Sequence, residues 1–361
     1  MKLHGLPINL LPGTQVYKYT LDRKIGEGQF GVVWLAHDQT IKMDYAVKFL
    51  DTTTASIGDL LKEAEVGHRT GHENLASVHF ADVVDFQGDN LVLVVMDYYS
   101  RGSVLGEICS GNFVPVQTAV SLLTDILRGL EYLHEQKVVH NDIKPTNILI
   151  SNKGEAVLTD YGISVAIQGG ISAKPPAAYM LHKAPETIFK NEVSPKSDIY
   201  QVGMTAFRLI NGIGLVRDKL NTLGSAEFKQ HIRGGKLISN NDFQPFVPNH
   251  LRQIIKTAIN ADPDQRFGSA QQMRRKLEKL TLHGSWTQDE AGEFKGEDAN
   301  NEYRFEVHPM HGGKFNFTAF RKYKSSRRET RFTKYCCKQL TVQEIQRAKK
   351  NFMSAVVVGS H

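Results

Sequence analysis

The chain has 361 residues, 41% of them hydrophobic and 23% charged, with a formal net charge of +6. That length accommodates a two-lobed unit plus an appendage, and the composition excludes a fibrous or wholly disordered chain. The three cysteines, Cys109, Cys336 and Cys337, exclude a disulfide framework, no apolar run reaches the roughly 18 residues of a membrane helix, and Pro7 and Pro12 break the N-terminal apolar stretch, so a cytoplasmic location is expected.

From Tyr17 to about Asp97, short apolar runs rich in β-branched residues predict strands over 18–26, 31–37, 43–50, 76–85 and 91–97. A polar stretch over 57–69 predicts one helix, and residues 85–90 (DFQGDN) predict the hairpin turn before the last strand. Residues 98–282 read as mainly helical. Val116, Val120, Leu123, Leu127, Leu130 and Leu133 recur at helical spacing, as do Leu251, Ile254, Ile255, Ala258 and Ile259. From 283 to 361 a separate β-plus-helix module is expected, with Tyr303, Phe305 and Val307 alternating, then Phe315 and Phe317. Thr341 and Glu344 predict a capping box, followed by an apolar stripe of Ile345, Ala348 and Phe352. The module is basic from about residue 312: residues 312–361 carry twelve Lys or Arg against two acids, Glu329 and Glu344.

Three signals carry chemistry. The run IGEGQFGVV puts Gly26, Gly28 and Gly31 between two strands, where glycines let backbone amides approach phosphate oxygens. A glycine-rich hairpin without function has the same string, and a dinucleotide fold would follow it with a helix. Next, YAVKFL puts Lys48 in an apolar strand, either as an edge charge or as a cation with an anionic partner, for which Glu63 or Glu65 on the following helix is available. Last, HNDIKPTNIL groups His140, Asp142, Lys144 and Asn147 in one loop, and LTDYG adds Asp160. Phosphoryl transfer needs a carboxylate for the attacking hydroxyl, hard oxygen ligands for Mg²⁺ and a cation at the moving phosphate.

With these motifs the chain resembles the eukaryotic-type serine/threonine protein kinases over residues 17–282. The resemblance implies a bilobal α+β fold, with a β-rich N-lobe (17–97) and a helical C-lobe (98–282), the module 283–361 lying outside it. It implies ATP and Mg²⁺ as cofactors, Mn²⁺ able to substitute, and transfer to protein serine or threonine hydroxyls, with autophosphorylation. By it, Gly26 to Gly31 cover the phosphates, Lys48 holds the α/β-phosphates and Glu63 pairs with Lys48. Asp142 is the catalytic base, Lys144 meets the γ-phosphate, and Asn147 and Asp160 hold metal. Met96 is the gatekeeper and Asp97 to Tyr99 the hinge, with Ile25, Glu27, Val33, Ala46 and Leu149 also lining the nucleotide site. KAPE, SDIYQVG and DPDQRFG supply Glu186, Asp198 and Arg266, and the resemblance pairs Glu186 with Arg266.

The chain departs from that pattern in four places. Asn141 stands where regulated kinases carry an arginine that grips a phosphorylated loop, so activity is expected not to depend strictly on phosphorylation at Ser164 or Ser172. Tyr161 replaces phenylalanine in the metal-binding triplet, Gly67 replaces an apolar residue on the first helix, and Tyr179 replaces the threonine before APE. Alternatives are a pseudokinase scaffold and a small-molecule phosphotransferase; the latter generally lacks the glycine run, a lysine at the position of Lys144 and an APE. In the module, Arg321, Lys322, Lys324, Arg327, Arg328, Arg331 and Lys334 interleave with Phe320, Tyr323, Phe332 and Tyr335. Nucleic-acid stacking is one reading, and a sheet with solvated cations is favoured over it; docking of substrates or of the kinase lobes is a third. His308, His311, Cys336 and Cys337 make a poor zinc set, because adjacent cysteines on a strand face opposite sides.

Overall fold

Runs of β-branched residues build the first sheet in the computed structural model, which describes residues 10–28, 31–50, 56–69, 71–108, 113–160, 165–166, 180–289 and 291–360. Its elements are β1 (Gln15–Val16), β2 (Tyr19–Gly28), β3 (Gly31–Asp38), β4 (Met43–Leu50), helix α1 (Ile57–Arg69), β5 (Val78–Phe86) and β6 (Asp89–Asp97). The strands form one antiparallel sheet in the order β1-β2-β3-β4-β6-β5. Side chains alternate across it as the pleat requires. Trp34, Val47, Phe49, Leu91, Leu93 and Val95 fill one face, while Leu50, Val92 and Val94 meet Leu60 and Ala64 of α1 on the other. The turn expected over 85–90 tightens to Gln87 and Gly88, both with positive φ (59° and 88°), the two-residue hairpin that matches strand twist. On α1 the buried stripe is Leu60, Ala64 and Gly67, so position 67 faces the sheet and contributes no side chain to it.

The second lobe contains α2 (Val104–Ile108), α3 (Val116–Glu135), β7 (Val138–Val139), β8 (Ile148–Ile150), β9 (Ala156–Leu158), β10 (Val165–Ala166) and α4 (Pro185–Phe189). It continues with α5 (Pro195–Asn211), α6 (Gly214–Arg233), α7 (Asn249–Ala258) and α8 (Ala270–Leu277). Helix α5 starts at Pro195, whose missing N–H costs nothing there, behind a capping box of Ser194 and Ser197. Every residue from Ser197 to Asn211 is buried, which makes α5 the axis of the lobe. Gly203 lets it press against α7, since a Cβ there would lie 2.7 Å from that of Ala258.

Beyond the lobe stand β11 (Ser285–Gln288), β12 (Phe294–Glu297), β13 (Asn301–Met310), β14 (Lys314–Tyr323), β15 (Glu329–Arg331), β16 (Cys337–Leu340) and α9 (Val342–Val358). The strands form an antiparallel sheet in the order β11-β12-β13-β14-β15, with β16 also paired to β14. Thr341 caps α9 reciprocally with Glu344, and Ile345 and Phe352 are buried beneath it. Trp286, Tyr303, Phe305, Phe317, Phe332 and Tyr335 surround Phe352, and the Trp286 indole donates to the Met353 carbonyl at 2.9 Å. Phe294 reaches out of the module to the rings of Phe113 and Phe246, so one apolar cluster runs through lobe and module.

Several of the module's cations already have acids. Lys322 pairs with Glu302 and Lys324 with Glu297, each at 2.8 Å, while Arg304 grips Glu329 and lies over the Phe320 ring. Arg321 lies over Tyr323 and Phe332. The two adjacent cysteines do not share a strand as expected: Phe332 turns inward onto Tyr335, so Cys336 closes a 3-10 turn and Cys337 opens β16. Among the described residues no helix is long and apolar enough to cross a membrane.

Candidate active site

The glycine run folds as a hairpin whose register places Gly26 opposite Val33, Glu27 opposite Val32 and Gly28 opposite Gly31. Gly31 is required: its φ is 152°, and a Cβ would fall 1.8 Å from the Phe49 carbonyl oxygen of β4. Glu27 pairs with Lys24 at 2.6 Å, and Ile25 is exposed. Val33 faces Lys48 across the β3–β4 ladder, and Ala46 faces Met96 across β4–β6. Asp97 ends β6 and accepts from His79 at 2.6 Å. The Tyr99 hydroxyl is pushed up to about 12, by burial first and by Asp97 second. Leu149 bridges to Ser103 beneath the cleft, and Met96 Sδ accepts from Thr159.

Lys48 is buried and donates to Asp160 Oδ1 at 2.7 Å. A buried ammonium requires an anion, and the sequence had offered Glu63 or Glu65. Glu65 lies on the exposed side of α1 and pairs with Arg69 at 2.6 Å; the Glu63 side chain lies outside the described residues. Burial pushes the Asp160 carboxyl up, but Lys48, with Lys144 and His140 beyond it, outweighs this and holds it below its ordinary value.

Asp142, Lys144 and Asn147 come together in the loop before β8. Asp142 Oδ2 accepts from Lys144 Nζ at 2.6 Å and from Asn147 Nδ2 at 2.8 Å, and Asn147 Nδ2 also reaches the Asp142 carbonyl at 3.0 Å. Asn141 and Asp160 both take left-handed backbone, φ 62° and 73°, conformations that persist only where neighbours hold them. For Asn141, Asp198 supplies that hold, accepting from the amides of His140 at 2.9 Å and Asn141 at 2.7 Å. His134 donates to the same carboxylate at 2.9 Å.

This donor set fits a hard divalent ion beside phosphates. Asp160 is held as a carboxylate, and the Asn147 amide is oriented by its Nδ2 bonds so that Oδ1 remains an acceptor, here of Thr146 at 3.2 Å. Lys48 and Lys144 supply cations within the same small space.

Farther along the chain, Glu186 of α4 and Arg266 form a two-bond buried pair. Lys183 is pushed down by burial, against the pull of Asp142. His182, buried three residues before the proline that starts α4, contacts Arg208 of α5, and Thr205 Oγ1 is 3.4 Å from its ring. Sequence reasoning missed His182, Arg208, Gln201 and Thr205. For Arg208, Gln201 and Thr205 the available signal is a set of polar residues inside the otherwise apolar run of α5. Tyr161, Ser164, Ser172 and Tyr179 lie outside the described residues.

A family profile described as "Protein kinase domain" matches residues 19–277. The chain is 33% identical over 275 residues to the serine/threonine-protein kinase fray1 of Dictyostelium discoideum, covering 74% of this chain and 46% of that protein. It is 28% identical over 291 residues to a probable serine/threonine-protein kinase of the same organism (76% and 40%). To the probable serine/threonine-protein kinase PknB of Corynebacterium glutamicum it is 27% identical over 280 residues (73% and 42%). The chain therefore spans about half, or less, of the length of these relatives.

Proposed function

The chain belongs to the protein kinase family, and we propose that it transfers the γ-phosphate of Mg-ATP to serine or threonine hydroxyls of protein substrates, its own included. The observation that carries this is the convergence of Asp142, Lys144 and Asn147 in one bonded loop beneath the Lys48–Asp160 pair. Mg-ATP supplies the phosphoryl group and a divalent charge for Asp160 and Asn147 to hold.

The chain's own residues do the rest. Both side-chain bonds to Asp142 fall on Oδ2, which leaves Oδ1, among the described residues, to take the acceptor's proton. Lys144, tied to that carboxylate, stands beside the acceptor hydroxyl and offsets charge developing on the moving phosphate. Lys48, fixed in β4, orients the α- and β-phosphates while the hairpin of Gly26 to Gly31 covers them. The serine/threonine acceptor rests on Lys144 and on the relatives' names.

The test is transfer from labelled ATP to a generic protein, followed by phosphoamino-acid analysis. Label on serine and threonine is expected, with Asp142→Ala and Asp160→Ala lowering the rate by about a thousandfold. A wild-type chain that binds ATP and transfers nothing would instead be a binding scaffold.

A further inference from the structure

Asp142 is held from both sides by a side chain that belongs to neither the loop nor the cleft. Gln201 of α5 accepts from the Ile143 amide through Oε1 at 2.7 Å and donates to the Asn141 carbonyl through Nε2 at 3.1 Å. Its Nε2 also lies 3.4 Å from Asn141 Oδ1. The carbonyl and the amide so bound are the peptide groups immediately flanking Asp142. One planar amide thus fixes the direction of the chain entering Asp142 and of the chain leaving it.

Gln201 acts with its neighbours on α5. Asp198, Gln201 and Thr205 follow at i, i+3 and i+7, the spacing of one helix face, and all three are buried. Asp198 takes the amides of His140 and Asn141, Gln201 takes the carbonyl of Asn141 and the amide of Ile143, and Thr205 donates to the Ile143 carbonyl at 3.3 Å. The helix face therefore satisfies loop groups from His140 to Ile143 in succession. A buried amide group without a partner is costly, so each bond has one favoured geometry. Close packing at Gly203 against Ala258 keeps α5 from shifting, so the loop is referred to a rigid support.

We propose that Gln201 is a positioning residue for the transfer step, setting the Asp142 carboxylate by bridging the peptide groups on either side of it. The proposal rests on the reading of Asp142 as the base. Gln201 touches neither substrate nor nucleotide in this role, so its loss acts on turnover and spares nucleotide affinity.

The experiment compares Gln201→Met, Gln201→Glu and Asp142→Ala in the full chain, each checked for binding of a fluorescent ATP analogue. Gln201→Met keeps side-chain length and removes both bonds; kcat is expected to fall about 10- to 100-fold with the KM for ATP unchanged. Gln201→Glu as a carboxylate still accepts from Ile143 but cannot donate to Asn141, whereas its protonated form does both. Burial and the carboxylates of Asp198 and Asp142 favour that protonated form, while His134, His140 and Lys144 oppose it. The kcat of Gln201→Glu relative to wild type is therefore expected to rise as pH is lowered from 8 to 6, a signature that a merely structural role would not give. If Gln201→Met fails to fold by circular dichroism, this pH profile decides. Wild-type kcat in Gln201→Met, a loss matched by weaker ATP binding, or a flat Gln201→Glu ratio would overturn the proposal. Full turnover in Asp142→Ala would remove the reading of Asp142 instead.

Discussion

Arg266 donates two hydrogen bonds to the Glu186 carboxylate, at 2.7 and 2.8 Å, across 80 residues of chain, with its guanidinium 4.9 Å from the Tyr200 ring centroid. Both partners are buried, so the pair anchors the short helix α4 to the segment before α8.

Removing one partner leaves the other's charge buried and unmatched. Arg266→Met is expected to destabilise the chain by about 3–5 kcal/mol in urea unfolding, and Glu186→Gln added to it should recover part of that loss. A change below about 1 kcal/mol would contradict the anchoring role.

His182 gives stability a pH dependence. Burial, then the Arg208 guanidinium, hold its imidazole well below the ordinary 6.5, so the folded form stays neutral where the unfolded chain takes up a proton. Stability from this group is complete above pH 6.5 and falls as pH drops below it, by up to about 1.4 kcal/mol per unit. Unfolding of wild type and His182→Phe at pH 7.5 and 5.5 checks it; the variant should lose less on acidification.

Asn141 carries no charge, is buried, and has its carbonyl bound by Gln201. A phosphate on the loop would find no cation at this position. Phosphatase-treated protein is therefore expected to keep most of its turnover in a steady-state assay, and near-complete loss would refute this.

Phe294 links module and lobe through rings 6.4 Å from Phe113 and 6.3 Å from Phe246. Phe294→Ala is expected to cost about 2 kcal/mol, less than a fully buried ring because Phe294 is half-buried. Faster amide exchange in α9 and around Phe113 would report the loosened seat, and unchanged exchange would argue against it.

In the module, Lys322 pairs with an acid on the adjacent strand, while Lys324 and Arg304 reach acids two strands away. Single-stranded nucleic acid is expected to bind no tighter than about 100 µM at 0.15 M salt, measured by fluorescence anisotropy. Tighter binding with a steep salt slope would reverse the preference for a solvated sheet.

Local pattern made much of this fold legible in advance. The strands of the first sheet, helix α1, the long helix α3 and the cap at Thr341 each announce themselves within a few residues, because pleat, helical repeat and capping are short-range rules. The loop from His140 to Asn147 was legible for a related reason: its groups must meet at one atom-sized space, so they sit close in sequence. The bond from Lys48 to Asp160 spans 112 residues and leaves no local trace, whereas the nearer Glu65 pairs with Arg69 instead. Gln201 was hidden differently: it reads as a mild blemish in an apolar helix until the loop it binds is laid against that helix. The break between Cys336 and Cys337 has no local signal, because the inward turn of Phe332 depends on an aromatic core assembled from distant segments.

The continuous apolar cluster through lobe and module also fixes where the molecule divides. The N-terminal sheet has its own two cores, separate from that cluster. The segment Asp97 to Tyr99 therefore joins two unequal bodies: the small sheet with α1 on one side, and on the other the lobe, with α9, far along the chain, packed into it as ballast. Anything that grips the module therefore grips the lobe as well, through a core the two share.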